Sequence, residues 1–146
     1  VELVLACVDH TGVTDLVVRH AAELARRLPC RLVLLHVVPA DPEWVGWGPG
    51  PQSVRDRVAA ELREARRKTQ ALARGLRGEG LQDVRALTVQ GPATETILER
   101  AEALDAHLLV LGAHHRGLLE GLFVGSVARQ ILRRTTRPVL VVPERR

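Results

Sequence analysis

The chain predicts an α/β domain built on a parallel sheet, and three observations carry that prediction. Short runs of aliphatic residues alternate with stretches whose apolar positions repeat every three or four residues. The resulting order βαβαβαβαβ is that of a sheet with helices on both faces and right-handed crossovers. The composition is 46% hydrophobic but only 2% aromatic, so the core must be Leu, Val, Ile and Ala, which suits strands buried on both faces. Finally, 146 residues is the length of one ordinary domain, able to bury roughly two thirds of its unfolded surface. No linker or internal repeat divides it, so residues 1–146 read as a single domain.

Leu3 to Val8 is an apolar run ending at Asp9, the first strand. Thr14 can cap a helix whose apolar positions are Val17, Ala21, Leu24, Ala25 and Leu28, and Pro29 stops it. Leu32 to Val38 is the second strand. Pro39 to Pro51 is rich in proline and glycine and reads as an irregular loop; its Trp44 and Trp47 fit a ligand cover, a subunit contact or a shield for the core edge. A long helix follows from Ser53 to about Gly78, with an inward stripe of Val54, Val58, Leu62, Ala65, Thr69, Leu72 and Leu76. Gly78 and Gly80 end it. Val84 to Val89 is the third strand, and its alternating character places it near a sheet edge. Gly91-Pro92 opens a helix with Ile97, Leu98, Ala101 and Leu104 on one side. Leu108 to Leu111 is the fourth strand, Gly125 to Arg134 the last helix, and Val139 to Val142 the fifth strand.

The segment from Asp105 to Pro143 carries the strongest functional signal. Between its strand and its helix lies a loop with Gly112, Gly117, Gly121 and Gly125. Glycine lets a backbone approach a ligand closely, and a helix start presents unpaired N–H groups with partial positive charge. Gly125-Ser126 thus offers donors and a hydroxyl to an anion, with Arg116 and Arg129 nearby in sequence. Glycines that merely turn a corner are the alternative. In a parallel sheet, ligands sit at the carboxyl ends of strands where chain order reverses, which directs attention to Val8-Asp9, Val38-Pro39, Val89-Gly91 and Leu111-Gly112.

Other classes are disfavoured. The formal charge is +4 and nearly all arginine, with Lys68 the single lysine. The positive charges from Arg55 to Arg77 are interleaved with Asp56, Glu61 and Glu64, as on a solvated helix face. Without a basic patch carrying stacking aromatics, no specific nucleic-acid binding is expected. Cys7 and Cys30 form no metal or dithiol motif and read as buried free thiols. No apolar run reaches the roughly 18 residues of a membrane span, so a cytoplasmic protein is expected. The chain starts at Val1 rather than methionine, and the first residue or more is expected to be missing or processed. His114-His115 are adjacent and poorly placed to converge on one metal ion. Asp9 with His10 lacks a nucleophile beside it. His20, His36 and His107 read as surface or strand residues, and Glu95, Glu99 and Glu102 as a solvated helix face.

The spacing Gly112-x2-His115-x9-Gly125-Ser126, followed after a short helix by Arg137-Pro138-Val139-Leu140-Val141-Val142-Pro143, resembles the universal stress proteins, whose nucleotide-binding members carry G-x2-G-x9-G-[S/T]. The likeness extends to Val8-Asp9-x-Thr11, Leu35-His36-Val37-Val38, Gly91-Pro92-Ala93 and Leu108-Leu109-Val110-Leu111-Gly112. It implies a five-stranded sheet of order 3-2-1-4-5, the adenine nucleotide alpha hydrolase-like fold, with ATP across the strand ends. By the same resemblance Asp9 and Thr11 would lie beside the adenosine, Val38 would offer backbone groups to the adenine edge, and Gly91 would admit the ribose. Gly112, His115, Arg116, Gly125, Ser126 and Val127 would surround the phosphates. A Mg or Mn ion would bridge those phosphates without protein ligands.

The departure falls at the second glycine of the motif, here His115. If that position demands positive φ, histidine costs roughly 1–2 kcal/mol of strain or blocks the ligand; it could instead donate to phosphate. Two readings therefore stand: an ATP-binding stress-response module, and a nucleotide-free interaction module with His115 in the phosphate space. The chain lacks G-K-[S/T] and an identifiable base, so at most slow ATP hydrolysis is expected. Val139, Leu140, Val141 and Val142 would form an exposed edge strand, which the resemblance pairs with the same strand of a second subunit in a homodimer.

Overall fold

Parallel strands all run the same way, so the chain must return to the starting edge after each one, and the helical stretches supply that return. The computed structural model describes residues 2–39, 52–115, 122–123 and 125–144. Its elements are β1 (Leu3–Cys7), α1 (Thr14–Arg27), β2 (Arg31–Val38), α2 (Gln52–Gly78), β3 (Val84–Gln90), α3 (Ala93–Ala103), β4 (Leu108–His115), β5 (Leu122–Phe123), α4 (Ser126–Arg134) and β6 (Val139–Pro143). Five strands pair in parallel in the spatial order β3-β2-β1-β4-β6, which is the expected order 3-2-1-4-5 with β6 as the fifth strand.

Alternate residues of a strand face opposite sides of the sheet, and the aliphatic runs fill both. Val4, Ala6, Val8, Leu32 and Leu34 pack with α1 and with Ala73 and Leu76 of α2. Leu3, Leu5, Val33, Leu35 and Leu109 pack with Ile97 and Ala101 of α3 and Ala128 and Ile131 of α4. β3 lies at one edge and is largely half-buried, as its alternating sequence predicts.

Three elements differ from the sequence reading, the first being β5, a two-residue strand inside the expected loop. β4 does not stop at Leu111 but continues to His115, because Gly112 and Ala113 pair with Val142 and Pro143, while His114 and His115 pair antiparallel with Phe123 and Leu122. Ladder partners distant in sequence override a local composition that reads as loop. Thr14 is the first helical residue rather than the cap; Val13 holds the cap position without a side-chain bond, and the Thr14 hydroxyl is used elsewhere.

The stripe on α2 has the predicted phase but is only partly covered. Thr69, Ala73 and Leu76 are buried, whereas Val54, Val58, Leu62, Ala65 and Leu72 are half-exposed. A helix of 27 residues is about 40 Å long, while the eight residues of β2 span about 26 Å. The N-terminal turns of α2 therefore overhang the carboxyl ends of the strands. That overhang makes one wall of the site.

Candidate functional site

The chain passes from β1 to β2 and β3 on one side, then returns to β4 on the other, so order reverses between β1 and β4. The polar groups following β1 gather at this switch point. Asp9 Oδ1 accepts from the Thr11 amide at 3.0 Å, the Thr11 hydroxyl at 2.6 Å and the Thr14 hydroxyl at 3.0 Å. Asp9 Oδ2 lies 3.2 Å from His114 Nε2, near the end of β4. Partial burial pushes the Asp9 carboxyl up, but the bonds from Thr11, Thr14 and His114 outweigh it and hold the group below its ordinary range. The other ring nitrogen of His114 is 3.7 Å from Glu144 Oε2, just beyond β6. One imidazole thus stands between two carboxylates from opposite ends of the chain.

Beside this bracket an open cleft runs between the strand ends and the overhanging α2. Asp9, His10 and His36 line one wall; Glu61, Glu64 and Lys68 of α2 line the other. His10 follows Asp9 in a left-handed backbone conformation, φ 59°, with its Nε2 3.0 Å from the Thr69 hydroxyl. His36 donates from Nδ1 to the Val8 carbonyl at 2.8 Å. A smaller hollow among Leu3, Arg31, Arg85 and Leu104 opens at the amino ends of the strands, and it contains none of the groups that could read a ligand at the switch point.

The remaining expected site residues fall as follows. The Val38 carbonyl accepts from the Gly91 amide at 3.0 Å, tying the ends of β2 and β3 together. A Cβ at Gly91 would meet the Thr96 hydroxyl at 2.7 Å, so the absence of a side chain is needed for α3 to start where it does. Gly112 lies within β4, and a Cβ there would meet Val13 Cγ1 at 2.6 Å; its smallness is demanded by α1. Gly125 caps α4 with no side-chain bond to the first-turn amides, Ser126 is exposed, and Val127 packs on the α3–α4 side of the core. His115 ends β4 in paired, extended backbone opposite Leu122, so no left-handed strain arises there. Arg116, Gly117, Gly121, Trp44 and Trp47 lie outside the described residues. Among the described residues no three or more metal-ligating side chains converge, and no helix is long and apolar enough to cross a membrane.

The grouping of His10, His36 and Thr69 was not foreseen. Its signal was present as a threonine within the apolar stripe of α2, a buried polar group that needs a partner, and as His36 sharing the strand face of Leu32 and Leu34. Glu144 gave no such signal, since one acidic residue beyond a final strand is ordinary.

The family model of the universal stress proteins matches residues 2–143. A universal stress protein of Thermus aquaticus is 30% identical over 112 residues, covering 77% of this chain and 77% of its own length. Among solved structures, MJ0577 of Methanocaldococcus jannaschii superposes with a TM-score of 0.78 at 20% identity, covering 99% of this chain and 97% of the other. UspA from Lactobacillus plantarum gives 0.78 at 19% identity, covering 97% of each. These two structures share the fold.

Proposed function

This chain belongs to the universal stress protein family, and from that premise we propose that it is an adenine-nucleotide-binding regulatory module of the cytoplasm that acts as a homodimer. The observation that carries the nucleotide reading is the cleft at the carboxyl edge of the sheet, open beside Asp9 and walled by α2. The N-terminus of α4 supplies amides without a side-chain cap, donors suited to phosphate. Two family members of similar fold have been solved with adenine nucleotides, one in complex with cAMP and that of Archaeoglobus fulgidus in complex with dAMP. In this reading Asp9 and Thr11 flank the adenosine, Val38 and Gly91 frame the base and ribose, and Gly112, His115, Arg116, Gly125, Ser126 and Val127 surround the phosphates. A Mg or Mn ion would be held through phosphate oxygens. Turnover is at most slow.

The test is calorimetric titration with ATP and Mg²⁺. Binding at millimolar nucleotide or below is expected, and no heat across that range removes the reading. A nucleotide-free interaction module is favoured by one observation: Asp9 and Glu144 place two carboxylates around His114, a poor setting for polyphosphate. His115→Gly separates the two, since gain of ATP binding by the variant alone supports the nucleotide-free form.

Dimerisation rests on β6. It pairs with β4 on one side only among the described residues, and Leu140 is 38% exposed. An apolar edge of this kind is normally covered, and pairing of Val139, Leu140, Val141 and Val142 with the same strand of a second copy would cover it. Sedimentation is expected to show a dimer at micromolar concentration and Leu140→Arg a monomer; a parent chain that sediments as a monomer ends the proposal.

A further inference from the structure

The charges of α2, interleaved in sequence, are sorted by the helix into two flanks. Arg63, Arg66, Gln70, Arg74 and Arg77 recur every three or four residues and so form one row, exposed throughout. Between Arg63 and Arg77 the single acidic residue is Glu64, which pairs with Arg67 and lines the cleft on the other flank. Arg63, Arg66 and Arg74 have no hydrogen-bond or ion-pair partner among the described residues. Arg77 fixes where the row lies: its Nη2 and Nε donate to the Val84 carbonyl at 2.6 and 3.1 Å, at the start of β3. From Arg63 to Arg77 the helix rises about 21 Å, and β3 from Val84 to Gln90 spans about 20 Å. The row therefore follows the whole length of that strand.

β3 is an edge strand, paired with β2 alone among the described residues. In a strand one residue sends its N–H and carbonyl to the same side and the next sends both to the other. The Asp83 carbonyl accepts from Leu32 and the Gly91 amide donates to Val38, so the odd-numbered residues serve β2. Val84, Ala86, Thr88 and Gln90 point their groups outward. Arg77 takes the Val84 carbonyl, while the outward groups of Ala86 and Thr88 have no partner among the described residues. On the sheet face away from α2, Arg85 is exposed and Leu87 and Val89 are half-buried.

We propose that the β3 edge takes up an extended acidic segment of a partner protein as an added strand, its carboxylates on the α2 row and its aliphatic side chains over Leu87 and Val89. Main-chain bonds to Ala86 and Thr88 would anchor it, and the alternation of its side chains would give selectivity. A strand has period two, so a segment in which Glu alternates with Val meets both faces at once. A second copy of this chain is a poor occupant, because pairing β3 with β3 would bring two arginine rows together. Nucleic acid would find the charge but nothing to stack on, since α2 and β3 contain no aromatic residue. The edge uses neither the nucleotide cleft nor β6, which lies at the opposite side of the parallel sheet.

The experiment titrates the intact chain into a short fluorescein-labelled peptide of alternating Glu and Val and reads anisotropy at low and at physiological salt. A Lys–Val peptide, a Glu–Val peptide with its central valines replaced by proline to remove N–H donors, and a single-stranded DNA of similar length are run beside it. The Glu–Val peptide is expected to bind about tenfold more tightly than the other three and to slow amide exchange at Ala86 and Thr88. Arg66→Gln with Arg74→Gln is expected to weaken it about tenfold with little change in melting temperature, both side chains being exposed. No binding of the Glu–Val peptide, equal binding of the proline peptide, or binding that leaves the Ala86 and Thr88 amides unprotected overturns the proposal. Tighter binding of the DNA overturns it in favour of a nucleic-acid contact. Protection of those amides by raised protein concentration without peptide overturns it in favour of a contact between copies.

Discussion

Gly112 lies in β4 beneath the start of α1, and its replacement by alanine has a calculable consequence. The added Cβ would stand 2.6 Å from Val13 Cγ1 and 3.2 Å from both Val13 Cγ2 and Val17 Cγ2. Carbon atoms pack at about 3.5–4.0 Å, so the closest overlap is roughly 1 Å. Neither valine can swing aside readily, because both are buried and β-branched side chains are stiff at χ1. Gly112→Ala is therefore expected to destabilise by about 1–3 kcal/mol, the range for overpacking. At about 2–4 °C per kcal/mol for a chain of this size, the melting temperature should fall by roughly 2–12 °C. Val13→Ala alone removes two buried methyls and costs about 2 kcal/mol. In the double variant the new methyl enters the space that Val13 vacates, so the loss should undercut the sum of the two singles by about 1 kcal/mol or more. Thermal and urea unfolding of the four proteins completes the cycle. A Gly112→Ala protein melting within about 1 °C of the parent, or strictly additive losses, would refute this packing argument.

Other expectations concern the polar groups. Thr69→Val keeps the shape of a buried side chain but removes the hydroxyl that lies 3.0 Å from His10 Nε2, and a loss of about 1 kcal/mol in urea unfolding is expected; an unchanged midpoint would show that this contact contributes nothing to stability. The Asp9 carboxyl is raised by burial but lowered further by its hydrogen bonds, so its folded value lies below the unfolded one near 3.9. Its contribution is then complete above about pH 4 and lost as pH falls through the folded value, and Asp9→Asn should flatten that acid limb of the stability curve. Cys7 is half-buried, and its surroundings push the thiol up to about 12, so iodoacetamide should label it far more slowly in the native protein than after unfolding. Rapid labelling of the native protein at Cys7 would show that the thiol is not held in this way.

The fold was legible because its signals are local and repeated. The runs Leu3 to Val8, Leu32 to Val38 and Leu108 to Leu111 are too apolar to lie anywhere but between two layers, and the helical stretches between them keep one phase. The length of β4 was not legible, since Gly112-Ala113-His114-His115 carries no strand preference of its own. Its extended form comes from Val142 and Pro143, which pair with Gly112 and Ala113, and from the two residues of β5, which pair with His114 and His115. Asp9 and His10 could be placed at a ligand-binding edge from strand order alone. Their partners could not: the threonine in the apolar stripe of α2 signals only that a buried hydroxyl needs some partner, and His114 and Glu144 are brought in by chain reversals that leave no trace in local composition.

The bracket around Asp9 also bears on the synthesis of the protein. β1 precedes the other strands in the chain yet occupies the middle of the sheet, between β2 and β4. His114 follows its partner Asp9 by 105 residues, and Glu144 comes later still. Contacts this distant in sequence form late. A nascent chain that has folded β1 to β3 would hold Asp9 with Thr11 and Thr14 alone, its switch point open on the side of β4. Recognition that uses both sides of the switch point therefore waits for β4 and β6, the last of the parallel strands to be made.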